Sequence, residues 1–346
     1  MPESSDIGVG LIGYGLGGRA FHAPYVGMTP GMTLRAVVSR DAGKVQARLP
    51  GMRVVPDVDA LLAAPGIDLV IVSSPDALHA EHALAAIAAG KHVLVDKPFA
   101  TTLADARCVA AAAEAGGRLL TVFQNRRWDA DFLTLRRLIA EGALGEIAQF
   151  ESHFDRWRPV PATLWKEARE GGVWLDLGPH LVDQALVLFG MPECISADLA
   201  TLREGAPAPD YFHVTLRYPG RRVILHASKL VAEHGLRFAV HGTGGSWIKH
   251  GTEPQEAAAV AGATPGGEDW GFDPIPGLLT RCDGVGAVPV VNERGDYRLF
   301  WNALAAAIRG EGLNPVPAAE AIAVMEVLDA GLRSAEEGRV VEPCVR

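Results

Sequence analysis

From Ile7 to Phe123 the chain alternates two kinds of stretch. Short apolar runs are each followed by a longer stretch in which apolar residues return every three or four positions. The first kind predicts strands and the second amphipathic helices. Strands are expected at 7–12, 34–38, 54–55, 68–73, 92–95 and 119–123. Helices are expected after the first strand, from about 42, and over 58–64, 77–89 and 102–115, the last two stopped by Gly90 and by Gly116-Gly117. The run Asp-Leu-Val-Ile-Val-Ser at 68–73 suits a strand covered on both faces. Strict alternation of strand and helix implies a doubly wound parallel sheet with right-handed crossovers. Its ligand belongs at the carboxyl edge of the strands.

The rhythm changes near residue 124. A helix is expected over 130–141, then strands at 147–154, 195–202, 212–218, 223–230 and 236–241 whose faces alternate in character. The turn Tyr218-Pro219-Gly220-Arg221 between two of them reads as a hairpin connection in an antiparallel sheet. Residues 251–290 are rich in glycine and proline and read as an irregular excursion, a lid or an oligomer contact. Helices over 297–309 and 318–336 close the chain. The expected organisation is a nucleotide-binding domain over 1–123 and an α+β domain with a large open, mainly antiparallel sheet over 124–346, used for substrate binding and oligomerisation. An open sheet face calls for a covering element, which suggests a homodimer or homotetramer.

The chemistry begins where the first strand ends. Gly13, Gly15 and Gly18 fit the dinucleotide fingerprint G-x-G-x-x-G. Gly13 permits the tight turn, Gly15 lets the backbone approach a pyrophosphate, and Gly18 lets helix and strand pack closely. With 39 glycines in the chain, the motif alone is weak. Its place after an apolar strand and before a helix is what makes it informative. The net charge of −9 argues against a nucleic-acid partner, so an anionic ligand must be met by local basic residues. Cys108, Cys194, Cys282 and Cys344 form no C-x-x-C pair and read as reduced thiols of a cytoplasmic protein. The acidic start, Met1 to Asp6, lacks the basic and apolar regions of a signal peptide, and no apolar run approaches a membrane span.

The end of the second strand bears on the cofactor. An acid there holds the ribose hydroxyls of NAD, whereas an arginine meets the 2′-phosphate of NADP. Here Ser39 and Arg40 follow the strand and Lys44 lies one helical turn on, which favours NADP. Asp41 keeps NAD open, because it reaches the ribose if the strand ends one residue later.

Two further stretches carry candidate catalytic groups. Val-Asp-Lys-Pro-Phe at 95–99 places Lys97 at the ligand edge of the fifth strand, beside a proline compatible with a cis bond. In Gly171 to Gln184, Asp176 and His180 are four residues apart and share a face if the segment is helical. That is the spacing of a general base oriented by a carboxylate. Pro179 leaves two arrangements open: a helix running through it, or one beginning there with Asp176 just before. His153, His213, His226 and His241 lie on strands without metal-ligand spacing and read as structural. His79, Glu81 and His82 also make no complete set, so no metal is expected.

Four motifs together resemble the Gfo/Idh/MocA family of glucose–fructose oxidoreductases and inositol dehydrogenases. They are Gly-Tyr-Gly-Leu-Gly-Gly at 13–18, Ser-Pro-Asp-Ala-Leu-His at 74–79, Ala-Gly-Lys-His-Val-Leu-Val-Asp-Lys-Pro at 89–98, and Gly-Gly…Asp-Leu-Gly-Pro-His at 171–180. The resemblance spans essentially the whole chain. It departs at Asp96, where the family usually has Glu, and at Asp76, where Asn is frequent. Phe21-His22-Ala23-Pro24 with Ser39-Arg40 is most similar to the NADP-dependent scyllo-inositol dehydrogenase branch.

The resemblance implies a Rossmann domain followed by an α/β domain. It implies Lys97, Asp176 and His180 as the catalytic group. Cofactor contacts are expected from Gly13, Tyr14, Gly15, Leu16, Gly18, Ser39, Arg40, Lys44, Ser74, Pro75, His79, Asp96, Lys97 and Pro98, with Pro75 and His79 by the nicotinamide half. The implied reaction moves a hydride between a secondary hydroxyl of a sugar or cyclitol and nicotinamide, with His180 as base, Lys97 on the same oxygen, and Asp176 orienting His180. Asn125 and Asp155, then Trp165 and Lys166, are the expected substrate contacts alongside His180. A non-catalytic NADP(H) sensor would not need that trio. A glycoside hydrolase using transient oxidation, and a keto-sugar reductase, remain open alternatives.

Overall fold

The computed structural model describes residues 6–162, 168, 171–233, 235–284 and 286–343. The chain divides into two compact units. The first runs to Asn125 and takes in Gln255–Trp270 and Asp296–Ile322. The second comprises Arg126–Pro254, Gly271–Gly295 and Ala323 onward.

Among the described residues the first unit holds six parallel strands: β1 (Ile7–Ile12), β2 (Met32–Val38), β3 (Val54–Val55), β4 (Leu69–Val72), β5 (His92–Val95) and β6 (Leu120–Val122). Their order is β3-β2-β1-β4-β5-β6. β1 and β4 are buried along their whole length, as expected of central strands covered on both faces. The order reverses beside β1, so the turn after β1 lies at the topological switch point of the sheet.

The segment after the fingerprint is not the regular helix that the sequence pattern suggests. A π-helical turn over Gly18–His22 leads into α1 (Ala23–Val26). Pro24 has no N–H to offer Ala20, and Ala23 N–H bonds instead to Gly18 O, one residue further back than in an α-helix. The other helices of this sheet are α2 (Ala42–Gln46), α3 (Val58–Leu62), α4 (His79–Ala88) and α5 (Leu103–Ala115). Gly90, at φ +75°, supplies the left-handed residue that ends α4.

The second unit begins with α6 (Ala130–Ala140), β7 (Ile147–His153) and α7 (Gly172–Phe189). Five strands follow closely: β8 (Cys194–Ala200), β9 (Tyr211–Tyr218), β10 (Arg221–Ser228), β11 (Leu236–Gly242) and β12 (Gly245–His250). The expected irregular stretch 251–290 is in fact ordered into α8 (Pro254–Ala261), β13 (Gly277–Arg281) and β14 (Ala287–Val290). The eight-stranded sheet has the order β14-β13-β12-β11-β7-β10-β9-β8, with β7 and β10 parallel and the other neighbours antiparallel. β13 and β14 escaped the periodicity because they are short strands at one end of the sheet with mostly exposed side chains, the edge strand β14 containing Pro289. β12 hides a charge: Lys249 is fully buried and pairs with Asp273 at 2.9 Å.

Along β9, Phe212, Val214, Leu216 and Tyr218 are buried, while Tyr211, His213, Thr215 and Arg217 are half-buried on the other face. α7 covers the buried face, with Trp174 edge-on to Phe212 at 5.0 Å. Two helices close the chain, α9 (Arg298–Ile308) and α10 (Ala318–Glu337). α9 joins the first unit through an aromatic cluster in which Trp301 stacks on Tyr25 and packs against Phe123. No helix among the described residues is long and apolar enough to cross a membrane.

Candidate active site

The carboxyl ends of β1, β2, β4 and β5 carry the sequence-predicted cofactor residues. After β1, Gly13 has φ +97°, and a Cβ there would stand 2.4 Å from Ser73 O. A Cβ on Gly18 would stand 2.2 Å from Gly13 O, so the turn and the helix start are in backbone contact. Gly15 is different: a Cβ there would meet no atom within 4 Å, and the residue is exposed. Open space above a bare backbone is the feature a dinucleotide pyrophosphate requires at this position. Leu16 is likewise exposed, whereas Tyr14 is buried and lines a cleft with Arg19 and Arg48.

The loop rests on a polar cluster that sequence reasoning found only in part. Asp96 Oδ2 accepts from Ser73 Oγ at 2.9 Å and lies 3.2 Å from His22 Nε2. A Cβ on Gly17 would come within 2.6 Å of both Asp96 Oδ2 and Ser73 Oγ. Burial would raise the Asp96 carboxyl, but the His22 charge and the hydrogen bonds from His22 and Ser73 hold it well below the usual carboxylate range. Neither Ser73 nor His22 was singled out as a site residue in the sequence, because their roles depend on three strand ends meeting.

Lys97 follows Asp96, is half-buried, and is joined to Pro98 by a cis peptide bond. His79 is buried, with Nδ1 at 2.8 Å from Pro98 O and Nε2 at 3.0 Å from Ser74 O. It thereby ties the segment after β4, which includes Pro75, to the segment after β5. His82 Nδ1 lies 2.9 Å from Ser74 Oγ, and burial lowers its pKa.

At the end of β2, Ser39 Oγ donates to Asp41 O at 3.0 Å. The Asp41 carboxylate accepts from Lys44 N–H at 2.9 Å, so it serves as the N-cap of α2. Arg40 is exposed, and among the described residues no hydrogen bond or ion pair engages its guanidinium. Asn125 is buried at the start of a 3₁₀ turn, Asn125–Trp128.

In the second unit, α7 runs through Pro179 without interruption. Of the two arrangements the sequence left open, the continuous helix is the one adopted. Packing holds it: Trp174 Nε1–H donates to Leu328 O at 3.0 Å, and Leu181, Val182 and Ala185 are fully buried. Asp176 and His180 therefore share one helical face, the first half-buried and the second buried. The His180 ring stands edge-on to Phe154 with centroids 6.4 Å apart. Phe154 in turn meets two guanidiniums, Arg126 at 4.6 Å and Arg237 at 4.2 Å from its centroid.

Arg237, fully buried, reaches Asp131, Ser152 and Gln184 at 3.1, 2.7 and 2.8 Å. Arg127 forks onto Asp183 at 2.9 and 2.7 Å. No sequence signal marked Arg237, which looks like an ordinary strand charge until the fold buries it.

Asp155 accepts from Ser228 N–H at 2.9 Å and lies against His153 and His226 at 3.4 and 3.0 Å. Burial would raise its carboxyl, but the two neighbouring imidazoles, His153 and His226, lower it to about 2. Trp165 and Lys166 lie outside the described residues.

Two family models divide the chain between them. The "Oxidoreductase family, NAD-binding Rossmann fold" model matches residues 7–124, and the "Oxidoreductase family, C-terminal alpha/beta domain" model matches 136–342. The chain belongs to the Gfo/Idh/MocA family. As a family member it is an oxidoreductase with an NAD(P)-binding Rossmann domain. It is 48% identical to the uncharacterised oxidoreductase YdgJ of Escherichia coli, over 96% of this chain and 97% of that one. It is 38% identical to the NADP(+)-dependent scyllo-inositol 2-dehydrogenase IolW of Bacillus subtilis, over 97% and 95%. The solved structure of the oxidoreductase YPO2259 from Yersinia pestis superposes with a TM-score of 0.95 at 46% identity, covering 99% of this chain and 98% of that one.

Proposed function

We propose that this protein is an NADP-preferring dehydrogenase that oxidises a secondary hydroxyl of a sugar or cyclitol, or reduces the corresponding ketone. The observation that carries the cofactor preference is the end of β2: Asp41 is occupied as a helix cap, and the Arg40 guanidinium beside it is unpaired among the described residues. An occupied carboxylate suits NAD poorly, and an exposed guanidinium suits a 2′-phosphate. The substrate class is supported by similarity to IolW.

A nicotinamide cofactor held over the Gly13–Gly18 turn would supply the hydride chemistry. The chain's own residues handle the proton and the charge. His180 takes the hydroxyl proton, and Asp176, one turn earlier on α7, orients the imidazole and supports its charged form. Lys97 donates a hydrogen bond to the same oxygen and stabilises negative charge developing there. The hydrogen-bonded Ser73–Asp96–His22 set fixes the backbone from which Lys97 projects. Asn125 and Asp155 are the preferred polyol contacts of this reading. We place the enzyme in the cytoplasm as a homodimer or homotetramer.

The test is steady-state oxidation of inositols, aldoses and anhydrosugars by wild type, Lys97→Ala and His180→Ala. Both variants are expected to lose about 10²–10⁴ in kcat, with His180→Ala keeping its cofactor affinity. A His180→Ala enzyme that keeps wild-type turnover contradicts the assignment.

A further inference from the structure

We propose that His153, Asp155 and His226 form a binding site for one divalent transition-metal ion, with zinc as its best-suited occupant. Nothing in the spacing of these residues along the chain suggests a site. The parallel pairing of β7 with β10 creates it, because His153 and His226 are register partners and Asp155 follows two residues after His153 on the same strand exit. The two rings stand 5.0 Å apart, and one ligating atom from each of the three side chains lies within 4.8 Å of the others.

The interatomic distances are those a shared cation would accept. Zinc at about 2.0–2.1 Å from nitrogen and oxygen sets its tetrahedral ligands about 3.3 Å apart. Here His153 Nδ1 is 3.4 Å from Asp155 Oδ2, and His226 Nδ1 is 3.0 Å from Asp155 Oδ1. The buried His226 Nδ1 makes no properly directed hydrogen bond despite that short distance.

The surrounding residues complete the pattern. His153 Nε2 lies 3.2 Å from Glu151 Oε2, so the ring nitrogen away from the site is held by a carboxylate. That arrangement fixes the tautomer that leaves Nδ1 as a ligand. Ser228 N–H fixes Asp155 through Oδ1. Two carboxylates, Asp155 and Glu151, balance the charge of a dication. Two imidazoles disfavour magnesium and calcium, which take oxygen ligands. Three protein ligands leave a fourth position for water or another donor.

Asp155 is also an expected substrate contact of the dehydrogenase reading, so the metal site is tested without an activity assay. Tag-free full-length protein is stripped with chelator, then titrated calorimetrically with zinc chloride near neutral pH. The expected result is one zinc per chain. His226→Ala is expected to weaken binding at least about tenfold, and Glu151→Gln, which leaves all three ligands in place, about tenfold. Cobalt(II) reports coordination directly: wild type is expected to show the intense visible bands of a tetrahedral complex, and His226→Ala to lose them. Wild type that takes up no zinc overturns the proposal. So does uptake that persists in His153→Ala/His226→Ala, since the metal is then held elsewhere. Thermal unfolding of each stripped variant identifies any that is misfolded, and the wild-type stoichiometry and Glu151→Gln decide the matter without them.

Discussion

Gly15→Ala separates a glycine needed for folding from one needed for a ligand. A Cβ at this position meets no atom within 4 Å, and Gly15 is not among the residues with positive φ. Alanine there is compatible with the backbone and narrows the unfolded ensemble, so it is expected to stabilise by about 0.4–1 kcal/mol. At roughly 2–4 °C per kcal/mol for domains of this size, Tm is unchanged or rises by a few degrees. The added methyl stands in the space a pyrophosphate uses. Crowding of that kind costs about 1–3 kcal/mol, which weakens cofactor binding about 5- to 150-fold. Gly13→Ala and Gly18→Ala are the contrasting cases, since their Cβ atoms fall 2.4 and 2.2 Å from backbone oxygens and damage the fold itself. Differential scanning fluorimetry gives the stability and calorimetric titration with NADPH the affinity. Unchanged affinity in a stable Gly15→Ala protein refutes the placement of the cofactor over this turn. A large loss of Tm refutes the structural half of the argument.

Arg237→Met leaves the fully buried Asp131 carboxylate without its cation, which is expected to cost about 3–5 kcal/mol. Urea unfolding checks this, and a loss below about 1 kcal/mol contradicts it. Asp210 supplies a pH dependence: burial would raise its carboxyl, but N–H groups of Leu202 and Arg203 and the Arg203 guanidinium lower it. Its folded pKa lies below its unfolded value, so its contribution is present above the unfolded pKa of about 3.9 and is lost as pH falls through the folded one. The stability gap between wild type and Asp210→Asn is therefore expected at pH 7 and should narrow on acidification toward pH 3; a gap that widens there contradicts the sign.

The Rossmann half was legible because its signals are local. Continuous apolar runs gave β1 and β4, and glycine spacing gave the turn between β1 and the π-helical segment. The sites of the second unit were legible only where they lie on one element, as Asp176 and His180 do on α7. Arg237, Lys249 and the His153–Asp155–His226 cluster were missed because each depends on partners distant in sequence. Burial also reversed the ordinary reading of Arg237 and Lys249, since strand charges usually face water. β13 and β14 were hidden because both are short and mostly exposed, and the edge strand β14 contains a proline and carries no alternation. The helix through Pro179 went unresolved because local chemistry opposes it and tertiary packing decides it.

The measurement that bears most directly on the proposed activity is kcat/KM for NADP and for NAD with the best substrate, in wild type and in Arg40→Ser. A guanidinium bonded to a phosphate contributes about 1.5–3 kcal/mol. The account predicts that wild type prefers NADP, and that Arg40→Ser loses about 10- to 150-fold with NADP while NAD turnover is nearly unchanged. A wild-type preference for NAD, or an equal loss with both cofactors, contradicts it.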